Sequence, residues 1–128
     1  MTAPSSPRVI AYLRVSTIDQ AENGVSLDAQ KAKVEAWASL HDRGEIRIFS
    51  DSISGKRADN RPGLQQALAD LGKGDALVVY SLSRLARSTR DCIEIAELVE
   101  KRGADLVSLS EAIDTRSASG RMVFRLLA

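Results

Sequence analysis

The chain has 128 residues, of which 44% are hydrophobic and 27% charged, a composition that excludes a disordered or fibrous protein and fits one globular domain. The formal net charge of +1 gives no support by itself to nucleic-acid binding, so such a function must rest on where the arginines lie. An aromatic content of 4% argues against reading single-stranded nucleic acid on a platform of stacked rings.

Neither the N-terminal segment nor the cysteine content points to export. Residues 1–7 lack the apolar run of a signal peptide, and we expect them to form a disordered tail. No stretch approaches the length of a transmembrane helix, so we expect a cytoplasmic protein without a membrane partner. Cys92 is the single cysteine, which excludes an internal disulfide and a zinc set. Its helical spacing from Ile95 and Val99 predicts a core position.

The first half of the chain alternates short aliphatic runs with amphipathic stretches. An aliphatic run interrupted by Arg14 predicts a strand, and Ser26 is a good N-cap for the helix that follows. The predicted elements are a strand over Val9–Val15, a helix from Ser26 to about Asp42, a strand over Glu45–Ser50 and a polar loop over Asp51–Arg61.

The second half repeats this alternation. Pro62 suits the first turn of a helix that Gly72-Lys73-Gly74 ends, and Gly103 closes the next helix. The further predicted elements are a buried strand over Ala76–Tyr80, a helix over Thr89–Arg102, a strand over Asp105–Ser110 and a helix from about Ser119. The pattern predicts a three-layer α/β fold with a mostly parallel sheet of about four to five strands and helices on both faces.

The final segment has an apolar face that has barely begun when the chain stops. Met122 faces Leu126, and Val123 faces Leu127, at i, i+4 spacing. Either this helix folds back on the core, or it is the truncated start of a longer helix whose apolar side needs a partner. We favour the second interpretation.

Hydroxyl and guanidinium groups follow the predicted strands at their carboxyl ends, where open parallel sheets form their binding sites. Arg14 lies two residues before Ser16, so both side chains are expected on one face of their strand. Planar guanidinium groups match phosphate oxygens bidentately, and the edge of the sheet therefore suits a phosphate. The alternative is that Arg14, Arg84 and Arg87 are ordinary solvated arginines. The polar groups expected at this edge are Arg14, Ser16, Asp51, Ser83, Arg84, Arg87 and Glu111.

Three further observations bear on the chemistry. Gln30 lies on the apolar stripe of its helix, where an amide is unexpected without a partner. The only histidine, His41, is expected to be solvated and far from the carboxyl ends of the strands, which excludes a Ser-His-Asp triad. A nucleophilic Ser16 would therefore need activation by positive charge. Metal-dependent chemistry remains a competitor, although no compact carboxylate motif supports it. The candidate metal ligands are Asp51, Glu111 and Asp114.

Six motifs in order resemble those of the serine recombinases, a family that includes resolvases, invertases and large serine integrases. The resemblance covers nearly the whole chain after the tail, with a catalytic domain over residues 8–118 and the start of a long dimerisation helix over 119–128. The motifs are Tyr12-Leu13-Arg14-Val15-Ser16-Thr17, Gln20 with Ser26-Leu27-Asp28-Ala29-Gln30, Asp51-Ser52-Ile53-Ser54-Gly55, Asn60-Arg61-Pro62-Gly63-Leu64, Gly74-Asp75 through Val79 with Ser83-Arg84-Leu85-Ala86-Arg87, and Glu111-Ala112-Ile113-Asp114-Thr115 with Gly120-Arg121-Met122.

The resemblance implies that Ser16 forms a covalent 5′-phosphoserine link to double-stranded DNA and releases a 3′ hydroxyl. It implies no metal or nucleotide cofactor, and a homodimer that assembles into a tetramer for strand exchange and religation. The residues that would bind and polarise the phosphate are Arg14, Arg61, Arg84 and Arg87, and the surrounding network would be Gln20, Gln30, Ser83 and Asp51.

Two departures from the family pattern matter. Small resolvases carry an aspartate where this chain has Ser83, which puts any proton-transfer role at that position in doubt. The segment between Gln20 and Ser26 is also longer than in compact resolvases, and both features lean towards the integrase branch. No DNA-binding domain follows residue 128, so we expect this piece alone to be monomeric, to bind DNA weakly and not to complete recombination.

Two other functions compete with the recombinase interpretation. One is a recombinase-like assembly module in which Ser16 is idle, and the other is a metal-dependent nuclease or phosphatase on a similar scaffold. An intact set of Ser16 and four arginines argues against the first. Sensitivity to a chelator would identify the second.

Overall fold

A computed structural model describes residues 7–16, 26–41, 43–53, 61–86 and 88–127. Their order is β1 (Val9–Ser16), α1 (Leu27–Leu40), β2 (Ile46–Ile53), α2 (Pro62–Asp70), β3 (Ala76–Val79), a 3₁₀ turn (Leu82–Arg84), α3 (Thr89–Lys101), β4 (Asp105–Ser108), β5 (Ile113–Asp114) and α4 (Ala118–Leu127). The expected tail (residues 1–7) lies almost entirely outside the described residues, as do Gln20 and Arg87.

The five strands form one sheet in the order β2-β1-β3-β4-β5. The first four are mutually parallel, and β5 pairs antiparallel with β4. This confirms the predicted α/β class and the mostly parallel sheet. Because β1 lies between β2 and β3, its carboxyl end is flanked by the end of β2, while β3 ends earlier, beside Tyr12.

Each face of the sheet has its own apolar core. On one face, Ala11 and Val78 pack against Val34 and Ala38 of α1. On the other face, side chains of β1 and β3 pack against α2, α3 and α4. Cys92 is buried in this second core, as its spacing predicts. Among the helices of the described residues, none has the length and hydropathy to cross a membrane.

The structure corrects several predicted boundaries. The polar loop expected from Asp51 was wrong at its start, because Asp51–Ile53 continue β2 and pair with Arg14–Ser16 of β1. Helix α1 ends at Leu40, short of Asp42. The fourth strand ends at Ser108, since the chain then turns through Ala112, whose φ is 57°, into the antiparallel β5.

Gly63 allows α2 to lie directly against β2. A Cβ atom added there would sit 2.4 Å from the carbonyl oxygen of Ser50 and 2.9 Å from a carboxylate oxygen of Asp51. We expect Gly63→Ala to lower the free energy of unfolding by about 1–3 kcal/mol, because the helix must move off the strand. Gly44→Ala, with nothing within 4 Å of the added carbon, is the matched control. Equal urea midpoints for the two variants would contradict this close approach.

Candidate active site

The site begins where β1 and β2 end together. Arg14 pairs in register with Asp51, and Ser16, the last residue of β1, pairs with Ile53. The backbone of Ser16 therefore lies at the carboxyl edge of the sheet, where the sequence places it. Its side chain is outside the described part of the structure, so the expectation that it shares a face with Arg14 stays a prediction.

Arg14 joins β1 to the loop that follows β3. Its Nη2 donates a hydrogen bond to the carbonyl oxygen of Ser83, in the 3₁₀ turn. The side chain is half-buried, and the interpretation of Arg14 as an arginine that simply extends into solvent is therefore wrong. Ser83 is an exposed residue, and its hydroxyl lies 2.9 Å from that of Ser81.

Arg84 is the last residue of the 3₁₀ turn and is only 7% exposed. The turn is closed by the amide of Arg84 donating to the carbonyl of Ser81. A solvated surface arginine is thus excluded at this position. Arg87, the other arginine expected in this loop, lies outside the described residues.

Arg61 reaches the same loop from the start of α2. Its Nη1 donates to the carbonyl oxygen of Leu85 at 3.2 Å, and its Nη1 and Nη2 donate to the two carboxylate oxygens of Asp91 at 2.8 and 3.2 Å. The two side chains are 11% and 14% exposed. The sequence interpretation missed Asp91. Its spacing of three from Ser88, whose hydroxyl caps α3, signals a helix start and nothing more.

Asp51 lies beneath this edge as an anchor for α2. One carboxylate oxygen accepts from the amide of Gly63 at 2.8 Å, and the other accepts from the hydroxyl of Tyr12 at 2.6 Å and the amide of Leu64 at 3.2 Å. Burial, and then the hydrogen bond to Asp51, raise the pKa of Tyr12 far above its ordinary value. The carboxylate of Asp51 therefore connects β1, β2 and the start of α2 through hydrogen bonds.

Gln30 is fully buried, and its side-chain amide forms hydrogen bonds with the backbone of Arg14. Its Oε1 accepts from the backbone amide of Arg14 at 3.4 Å, and its Nε2 donates to the Arg14 carbonyl at 3.1 Å. Pairing of β1 with β3 stops at Tyr12, so this amide provides partners to β1 just beyond that point. Gln30 fixes the backbone that carries Arg14.

The acidic residues proposed as metal ligands have separate partners. Glu111 accepts from the hydroxyl of Ser108 and from the amide of Leu82 at 3.3 Å, while Asp114 pairs with Arg116. Within the described ranges, no group of three or more His, Cys, Asp or Glu side chains could hold a metal ion. Asp51, Glu111 and Asp114 thus form no metal site there.

His41 lies at the opposite end of the sheet from Arg14 and Arg84. It stacks on Trp37 with ring centroids 4.1 Å apart, at the C-terminus of α1. The neighbouring Arg43 donates to the carbonyl of Arg8, just before β1 begins. The expectation that this histidine is exposed is confirmed, and it lies far from the carboxyl end of β1.

Comparison with known proteins gives a consistent result. The family described as "Resolvase, N terminal domain" matches residues 9–128. The chain is 44% identical over 119 residues to DNA-invertase hin of Salmonella typhimurium, covering 93% of this chain and 56% of that relative. It is 41% identical over 119 residues to serine recombinase gin of Escherichia phage Mu, covering 93% and 55%. The chain spans just over half the length of these relatives.

Two solved structures resemble the fold. The N-terminal catalytic domain of TP901-1 integrase superposes with a TM-score of 0.78 at 33% identity, covering 94% of this chain and 90% of that chain. A resolvase family site-specific recombinase from Streptococcus pneumoniae gives a TM-score of 0.72 at 24% identity, covering 95% and 85%. The second likeness supports the fold alone.

Proposed function

Because this chain belongs to the resolvase N-terminal domain family, we propose that it is the catalytic domain of a site-specific DNA recombinase that uses Ser16 as its nucleophile. One observation carries the proposal. Arg14 and Arg61 come from different elements, yet both donate to carbonyl oxygens of the loop that contains Arg84, beside the end of β1. Two guanidinium groups that meet at the loop carrying Arg84, beside the end of β1, suit a bound phosphodiester.

The proposed reaction exchanges one phosphate ester for another. The Ser16 hydroxyl oxygen attacks phosphorus and gives up its proton, the bond between phosphorus and the 3′ oxygen breaks, and that oxygen takes up a proton to leave as the 3′ hydroxyl. The arginines stabilise negative charge on the nonbridging oxygens as it grows. The 5′-phosphoserine bond conserves the energy needed to rejoin the strands, so no nucleotide is required. The arginines supply the positive charge that a metal ion would otherwise provide. With Ser83 in place of the aspartate of small resolvases, we assign no proton-transfer role to that position.

We propose that Arg87 and Gln20 complete the phosphate network, with Gln30, Ser83 and Asp51 supporting it. We also propose that residues 8–118 form the catalytic domain, with double-stranded DNA as substrate and a homodimer assembling into a tetramer. Helix α4 starts at Ala118 and buries Phe124 while Met122 and Leu126 stay exposed, which supports its assignment as the start of a dimerisation helix.

The proposal is tested by trapping the covalent intermediate, an experiment that does not require a known target sequence. The natural polypeptide that carries these residues is incubated with genomic DNA of the cell that encodes it, and the reaction is stopped with denaturant. We expect protein-linked 5′ ends, a nucleotide remnant on Ser16 by mass spectrometry, and an unchanged yield with a chelator. Loss of cleavage with the chelator would favour a metal-dependent nuclease, and the absence of any adduct would favour an idle assembly module. Sequencing the recovered DNA provides the duplex for rate measurements.

A further inference from the structure

Arg61 is held by an acidic partner that no family motif in this chain includes. Asp91 lies in the first turn of α3, and its two carboxylate oxygens receive Nη1 and Nη2 of Arg61 side by side. Both side chains are largely buried, and a bidentate pair of this kind fixes the plane as well as the position of a guanidinium group. The carbonyl of Leu85 receives the remaining hydrogen of Nη1.

The hydrogen bonds of Arg61 use one edge of its guanidinium group. A second edge carries two further N–H bonds, on Nε and Nη2. Within the described part of the chain, Nε and the second hydrogen of Nη2 make no hydrogen bond. These two N–H bonds point the same way in a planar guanidinium, so they form a second parallel pair that matches two phosphate oxygens. Asp91 and Leu85 therefore set the direction in which that second pair points.

We propose that Asp91 is a positioning residue that orients Arg61 for the scissile phosphate, an inference that rests on the proposed function. Asp91 acts through Arg61 and does not itself touch the DNA. A fixed orientation avoids the loss of side-chain freedom that a mobile arginine would suffer on binding. Misplacing a charge-stabilising group by about 1 Å costs on the order of a hundredfold in rate.

The test measures single-turnover cleavage of a nicked duplex by the natural polypeptide. We expect Asp91→Ala to slow cleavage by about 10- to 100-fold. Asp91→Asn keeps one carbonyl oxygen acceptor and is expected to fall between Asp91→Ala and the wild type, with DNA binding little changed. Glu94→Ala is the matched control, because Glu94 lies one turn along the same helix and lines the same groove between α2 and α3. It should cleave at the wild-type rate.

A double mutant separates positioning from a purely structural role. In an Arg61→Ala background, Asp91→Ala should slow cleavage by less than about twofold, because the residue it orients is gone. If the two effects multiply, or if Asp91→Ala cleaves as fast as or faster than the wild type, the inference is wrong. Failure of the wild type itself to form a Ser16 adduct would instead overturn the proposed function and this inference with it.

Discussion

Replacing Ser16 with alanine is expected to abolish the covalent protein–DNA adduct completely. The attacking oxygen is removed, and the described residues offer no histidine at this edge of the sheet that could activate a substitute. The backbone position of Ser16 depends on its pairing with Ile53, which alanine preserves. The fold and DNA binding should therefore survive the substitution. Denaturing gels of reactions on the nicked duplex, with binding measured by gel shift, would check both expectations.

Thr17 provides the comparison, since it is the next hydroxyl along the chain. Thr17→Ala should still yield a DNA adduct on Ser16. An adduct that persists in Ser16→Ala and disappears in Thr17→Ala would move the nucleophile by one residue. An adduct that persists in the double variant Ser16→Ala/Thr17→Ala would exclude nucleophilic attack by either side chain.

Pattern in the sequence was sufficient for the fold and for the meeting of Arg14 with the loop after β3. Alternating aliphatic and amphipathic segments predict a parallel sheet, and parallel strands bring their carboxyl ends to one edge, so Arg14 and the loop around Arg84 could be expected near each other. Gln30 was also predictable, because a buried amide needs a partner. The prediction could not name that partner, the backbone of Arg14, since it depends on how far β3 extends beside β1.

The interactions that sequence could not supply are contacts between elements distant along the chain. Asp51 looked like a loop residue because its neighbours are polar, yet it is a strand residue that anchors the start of α2 through Gly63 and Leu64. Asp91 is separated from Arg61 by 30 positions. Its place just after the N-cap Ser88 predicts only a helix start, so its contact with Arg61 could not be predicted. Strand β5 is two residues long, too short for any alternation to be read.

Arg84→Ala is expected to reduce the cleavage rate by about 100- to 1000-fold, the usual cost of removing one preorganised donor to a charged transition state. Arg84→Lys should remain strongly impaired, because an ammonium group keeps the charge but lacks the planar fork that matches two phosphate oxygens. Single-turnover cleavage of the nicked duplex measures both. Arg90→Ala is the control, since the Arg90 side chain is 90% exposed on α3 and should leave the rate unchanged.

The fold should survive Arg84→Ala even though the side chain is buried. The amide of Arg84 closes the 3₁₀ turn through the carbonyl of Ser81, and a substitution of the side chain leaves that bond in place. The turn is held from outside by Arg14 at the carbonyl of Ser83 and by Arg61 at that of Leu85. Circular dichroism and urea unfolding should therefore resemble those of the parent. A variant that unfolds under assay conditions would mean that Arg84 serves the core, and its loss of cleavage would then say nothing about the phosphate.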